Sequence, residues 1–179
     1  KGGGFSFFCG TIFFIRRRKK MIDTILKQNS KGMYKDIREV GCFFVSCLTI
    51  AQMKEGKTLT VEQYNSLWDE AHKAGYMYER RVLVSDKIIN LAFKALGSSK
   101  KAFEVGTDQA DFYDWVKSHP DYKKVDACIE KIEQEEGAAY PYHFRVVNKE
   151  GELLFDPYSP QVKKGGSERI IWYRIIDKA

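Results

Sequence analysis

The chain is poor in the residues that build metal or disulfide frameworks. In 179 residues it has four cysteines, Cys9, Cys42, Cys47 and Cys128, and three histidines, His72, His119 and His143. No two cysteines form a Cys-x-x-Cys pair and the histidines are scattered, which argues against a structural zinc site. So few cysteines in a chain of this length also argue against a disulfide scaffold and favour a reducing, cytoplasmic setting. Internal repeats and low-complexity tracts are missing. So is a long hydrophobic run: the apolar stretch 5–15 has eleven residues, against about 20 needed to cross a bilayer.

An excess of positive charge is missing from the body of the chain. The formal net charge is +6, and Lys1, Arg16, Arg17, Arg18, Lys19 and Lys20 account for all of it. The remaining residues carry 24 basic and 24 acidic side chains, so no nucleic-acid partner is expected from charge balance. Residues 1–20 differ in character from the rest. Gly2-Gly3-Gly4 precedes the apolar stretch, and Arg16 to Lys20 follows it. A secretory signal has its basic residues before the apolar core rather than after it. Used as an anchor, this order would hold the following domain on the cytoplasmic side. Residues 1–20 fit an interfacial tail, a packed N-terminal strand, or upstream sequence preceding a start at Met21. Membrane association enters only through residues 5–20.

What is present is enough for one domain, 21–179, with a real core: 44% of residues are hydrophobic and 30% charged, as in ordinary globular proteins. The most informative stretch is Val40-Gly41-Cys42, followed by an apolar run of helical length to Met53. A thiol there sits at the first turn of a buried helix. The positive helix end favours anions, so such a thiol ionises more readily and can serve as a nucleophile. Far downstream, Tyr142-His143-Phe144-Arg145-Val146-Val147, the turn Asn148-Lys149-Glu150-Gly151, and Leu153-Leu154-Phe155-Asp156 read as a β-hairpin. Antiparallel pairing sets His143, at one strand's start, beside Asp156, at the partner's end. A carboxylate there orients an imidazole and stabilises its charged form.

The rest of the chain reads as helices first and strands after. Helices are expected at 21–28, at 42–54 stopping near Gly56, from Thr60 to near Gly75, from Ser85 or Asp86 to Leu96, and at 108–119. Thr60-Val61-Glu62-Gln63 fits a capping box. Ser85 or Asp86 is the expected cap of its helix, and Gly97 its stop. Strands are expected at 82–84, 102–105, 125–130, through the hairpin, and at 169–176; at 125–136 a helix is the alternative. The order argues α+β, a helical half packed on an antiparallel sheet.

Gly41-Cys42-x-x-x-Ser46, His143-Phe144-x-Val146-Val147 and Asp156-Pro157-Tyr158 resemble papain-like cysteine peptidases, above all the bacteriocin-processing, double-glycine branch. The chain is also similar to short proteins of spirochaete plasmids and phages. The resemblance lies in two blocks and leaves 55–140 outside it. It implies a papain-like fold, with the cysteine helix of the N-terminal half packed on a C-terminal antiparallel sheet that bears the histidine. It implies Cys42 as nucleophile, His143 as general base and Asp156 as orienting acid, hydrolysing a peptide amide, with cell-wall peptide as the next candidate, and no metal or organic cofactor. The family has a glutamine upstream of the cysteine that donates to the oxyanion. Here the residue six before Cys42 is Asp36, and a missing donor costs about 2.7–4 kcal/mol in the barrier. Gln28 or Asn29 could replace it, Asp36 could be protonated in place, the Cys42 N–H could serve with another donor, or the site could have lost catalysis. Phe43-Phe44 replaces the family's Gly-Pro and is expected to crowd the cleft mouth.

Taken singly, each residue has an ordinary explanation. Cys42 fits a core thiol, His143 a satisfied strand histidine, and Asp156 a turn residue before proline. Cys47 and Cys128 fit the core, and His72 and His119 fit solvated helix positions. In this order, with a hairpin joining two of them, Cys42, His143 and Asp156 point to a cysteine hydrolase. The alternatives are a peptide-binding module of the same fold without turnover, favoured by Asp36, and a membrane-tethered phage or plasmid accessory protein, resting on residues 5–20.

Overall fold

The computed structural model describes residues 21–109, 122–136, 138–162 and 165–177. Four helices, α1 (Lys35–Val40), α2 (Cys42–Glu55), α3 (Val61–Lys73) and α4 (Ser85–Ala95), precede most of the strands. A two-stranded hairpin, β1 (Met77–Tyr78) with β2 (Arg81–Val82), lies between α3 and α4. The main sheet has five antiparallel strands in the order β3-β7-β4-β5-β6: β3 (Lys101–Gln109), β4 (Ala127–Glu133), β5 (Tyr142–Val147), β6 (Leu153–Phe155) and β7 (Gly166–Ile176). The α+β architecture expected from the element order is therefore present.

Helix α2 is the centre of the packing. Every residue from Phe44 to Gln52 is buried, so the helix is covered on all sides, as its nearly unbroken apolar sequence requires. Its few polar side chains are matched. Thr49 Oγ1 donates to the Val45 carbonyl at 2.8 Å. Gln52 Oε1 accepts from the Leu59 N–H at 2.8 Å, and its Nε2 donates to Tyr64 Oη at 2.8 Å. One cluster, containing Phe44, Leu48, Ile88, Ile129, Val146 and Tyr173, joins the helices to one face of the sheet. A smaller one, of Val125, Cys128, Val147, Ile170 and Trp172, lies on the other face. Strand alternation explains the split: Ile129 pairs with Val146 and Ile171, while the neighbouring Cys128 pairs with Val147 and Trp172.

Local signals set most boundaries. Thr60 and Gln63 form the reciprocal capping box at the start of α3. Gly56, Gly75 and Gly97 follow α2, α3 and α4 with positive φ, the conformation glycine adopts at least cost. Expectations are corrected at the first helix, at the cap of α4 and at 108–109, and at β4 the expected strand is present. Residues 23–28 form turns instead of a helix. Thr24 Oγ1 donates to the Met21 carbonyl, and the Gln28 N–H is taken by the Pro157 carbonyl at 2.6 Å, so a long-range bond replaces a helical one. The N-cap of α4 is Val84, without a side-chain cap, rather than Ser85 or Asp86. Ser85 Oγ is buried and donates to Glu104 Oε2 at 2.7 Å while accepting from Tyr173 Oη at 2.8 Å. At 125–136, Ala127–Glu133 is strand, so the helical alternative fails; pairing on both sides, to β5 and β7, outweighs the helix preference of the acidic run. Asp108 and Gln109, expected to open a helix, are instead the end of strand β3; the rest of the helix expected at 108–119 lies outside the described residues, as do residues 1–20, with Cys9, and His119. No helix among the described residues is long and apolar enough to cross a membrane.

Gly41 is the joint between α1 and α2, closing one helix and opening the other. A Cβ there would lie 2.4 Å from the Ile37 carbonyl oxygen and 2.8 Å from Ile37 Cα. These are backbone atoms of a fully buried residue, so the clash has no cheap relief. Gly41→Ala is expected to destabilise the fold by about 1–3 kcal/mol, measured by urea unfolding. An unchanged midpoint would show that the joint is looser than the packing implies.

Candidate active site

Cys42 opens α2, and two contacts to a single residue of β5 hold that end of the helix. Phe43 stacks on Phe144 with ring centroids 4.3 Å apart and planes 10° apart. Ser46, one turn further, donates from Oγ to the Phe144 carbonyl at 3.3 Å. Phe43 is next to Cys42, and Phe144 is next to His143, so both contacts register the thiol against the imidazole. Phe44 turns inward instead, 1% exposed and edge-on to Trp68 at 5.0 Å. The pair Phe43-Phe44 thus packs the helix rather than crowding the cleft mouth, which corrects the sequence expectation.

His143 is buried at the start of β5, opposite Ile132 of β4. Its Nε2 donates to Asp156 Oδ1 at 2.8 Å, which leaves Nδ1 as the nitrogen for Cys42. The thiol is a hydrogen-bonding and electrostatic neighbour of the ring. Burial alone would lower the imidazolium pKa. The hydrogen bonds and charges of Asp156 and Cys42 outweigh it and raise the pKa to about 9. Asp156 is buried as well. Burial pushes its carboxyl upward, but the bond and charge of His143 and the N–H groups of Tyr158 and Val162 hold it below the ordinary carboxylate range. Those two amides lie 2.9 Å from Oδ1 and 3.0 Å from Oδ2. The Tyr158 bond is the local turn contact expected of an Asp before proline, so the turn role and the partner role coincide in one side chain.

The three oxyanion candidates have separate fates. Gln28 lines the same cleft as Cys42 and His143. The residue is 3% exposed and donates from Nε2 to the Arg38 carbonyl at 3.2 Å, and its Oε1 has no hydrogen-bond partner among the described residues. Asn29 Nδ2 donates to the Ser159 carbonyl at 2.6 Å. Asp36 does not line the cleft; it is bound to Arg80 Nη2 at 2.7 Å. An amide has two N–H bonds, so one of Gln28 remains after Arg38 is served.

The other candidate residues sort by burial. Cys47 and Cys128 are buried core thiols, and burial pushes Cys47 well upward and Cys128 up to about 12. Cys42, half-buried, is the one accessible thiol among the described residues. His72 is not solvated as expected: Nδ1 lies 2.9 Å from the Trp68 carbonyl and Nε2 2.6 Å from that of Glu79. No cluster of potential metal ligands occurs among the described residues. Two positioning contacts went unread in the sequence. Ser46 was visible as a spacing from Cys42, but its acceptor on β5 was not. Lys27, whose Nζ donates to the Asp156 carbonyl at 2.5 Å and sits 3.7 Å from the Phe155 ring centroid, carries no local signal.

No protein family, curated protein or solved structure matches the chain.

The charge pair makes a pH prediction. His143 has a raised pKa in the fold, so its contribution to stability is complete below the unfolded value of 6.5 and is lost as pH rises through about 9. Asp156 has a lowered pKa, so its contribution is present above 3.8 and is lost as pH falls below it. The thermal midpoint should therefore decline between pH 6.5 and 9.5, and imidazole NMR should titrate His143 near 9. In Asp156→Asn the titration should move down by about one unit or more and the decline should flatten. A His143 midpoint unmoved by that substitution would remove Asp156 as its charge partner.

Proposed function

We propose that the chain is a papain-like cysteine hydrolase that cleaves a peptide amide through Cys42, His143 and Asp156. The observation that carries this reading is a buried imidazole held between a carboxylate and the one accessible thiol of the described residues, in a cleft open to ligand. Asp156 keeps the ring oriented and charged, so a proton taken from the thiol stays on His143. The Cys42 sulfur then attacks the amide carbonyl carbon and forms a C–S bond. The carbonyl oxygen takes up the electron pair, and the remaining N–H of Gln28 with the backbone N–H of Cys42, at the first turn of α2, receives the oxyanion. Collapse breaks the C–N bond as His143 passes its proton to the leaving amine. A water, deprotonated by His143, attacks the thioester, the C–S bond breaks, and a carboxylate product leaves.

The α+β architecture, with α2 seated on β5 beside the histidine, supports the papain-like assignment, and a peptide is the substrate class it suggests. Asp36 was the feature favouring a binding module without turnover. Its ion pair with Arg80 takes that carboxylate away from the position where it would repel an oxyanion.

The test combines labelling with turnover. Cys42 should react with iodoacetamide about tenfold or more faster than the same cysteine in urea-unfolded chain, because the thiolate is the reactive form, and His143→Ala should abolish the difference. Cys42→Ala should abolish hydrolysis of a fluorogenic peptide mixture. Gln28→Ala should lower kcat by about 10²–10³ with little change in KM. Equal labelling of folded and unfolded chain would defeat the hydrolase reading, and an undiminished kcat in Gln28→Ala would remove Gln28 from the oxyanion site.

A further inference from the structure

The cleft around Cys42 has two chemically different walls and a volume of about 730 Å³, within the range of ligand sites. One wall is basic. The last turn of α1 contributes Arg38, strand β2 contributes Arg81, and Glu39 lines the cleft beside them. The acids beside them are already engaged. Asp36 and Glu39 both bind Arg80, at 2.7 and 3.6 Å, and Glu39 also meets Lys35 at 3.7 Å. Arg38 and Arg81 form no ion pair among the described residues, and both are exposed. The other wall is aromatic: Tyr140, Tyr142 and Tyr158 are each about two-fifths exposed, at 41%, 41% and 37%.

Building on the hydrolase reading above, we propose that the substrate is a peptide with a carboxylate close to the scissile amide, held by Arg38 and Arg81 while its backbone lies against the tyrosine wall. Two guanidiniums without an ion-pair partner among the described residues match a carboxylate in geometry and charge. Exposed tyrosine rings offer rigid apolar area with a polar tip, which suits a peptide rather than a small ion. The carboxylate has two possible sources, an Asp or Glu side chain and a free C-terminus.

The test uses the full chain as Cys42→Ala and fluorescent peptides of one sequence. Three have blocked ends and carry Glu, Gln or Lys at a single position; the fourth carries Gln and a free C-terminal carboxylate. The Glu peptide, the free-carboxylate peptide, or both should bind about tenfold tighter than the blocked Gln peptide, with Lys weakest. Arg38→Gln with Arg81→Gln should bring the affinities together. Equal affinities, a Lys preference, or a gap that survives the arginine substitutions would overturn the proposal. Where no peptide binds measurably, the ratio of iodoacetate to iodoacetamide alkylation rates at Cys42 in otherwise unaltered protein decides. The double arginine variant should lower this ratio severalfold, and an unchanged ratio counts against the basic wall. Failure of the hydrolase reading is distinct: the protein with Cys42 intact would turn over none of the four peptides while the preference for carboxylate remained.

Discussion

The contact between Phe144 and the first turn of α2 is the constraint on which the site depends. A helix start and a strand start separated by about a hundred residues of chain are brought into register by one flat ring stack and one hydroxyl-to-carbonyl bond. Neither contact involves Cys42 or His143 themselves; the stack is made by their immediate neighbours, and the hydrogen bond by Phe144 and the residue one turn beyond Cys42. Such a device fixes the separation of the thiol and the imidazole without occupying either of them. It also couples site geometry to core packing, because Phe44, the next residue on, is buried against Trp68. Gly41 sharpens the arrangement by letting α1 approach so closely that a methyl group would strike the Ile37 backbone.

The second dependency is electrostatic. A buried His–Asp pair is costly unless its remaining hydrogen-bonding capacity is met. Here both carboxylate oxygens of Asp156 are supplied by backbone N–H groups of the chain that follows it, at Tyr158 and Val162. That loop is in turn tied to the chain ahead of α1. Lys27 reaches the Asp156 carbonyl, the Gln28 N–H reaches Pro157, and Asn29 reaches Ser159. The segment carrying Gln28 and the segment carrying Asp156 therefore support each other, although 128 positions separate the two residues. The same stitching explains why 23–28 gives up the helix its composition favours.

Much of the fold was legible in local chemistry. The capping box at Thr60, the glycines that follow three of the helices, the hairpin over Asn148 to Gly151 and the apolar length of α2 each depend on residues a few positions apart. Where local rules failed, a distant partner had intervened. Ser85 was drawn from its capping role by Glu104 and Tyr173. His72, placed in solvent by its position on a helix, has a backbone carbonyl within hydrogen-bond distance of each ring nitrogen because the β1–β2 hairpin folds back over it.

The candidate site divides along the same line. The chain's order and spacing alone determined which cysteine opens a buried helix, that a histidine and an aspartate share one hairpin, and that the body of the chain has no surplus of charge. These are one-dimensional properties, carried by periodicity, turn residues and composition. Only the tertiary structure decided that Gln28 lines the cleft while Asp36 is diverted to Arg80, and that Arg38 and Arg81 share a cleft with Cys42. The physical reason is that side-chain partnership is settled by packing distance. Packing brings together groups from a turn, a helix end, a hairpin and a loop that no local pattern connects.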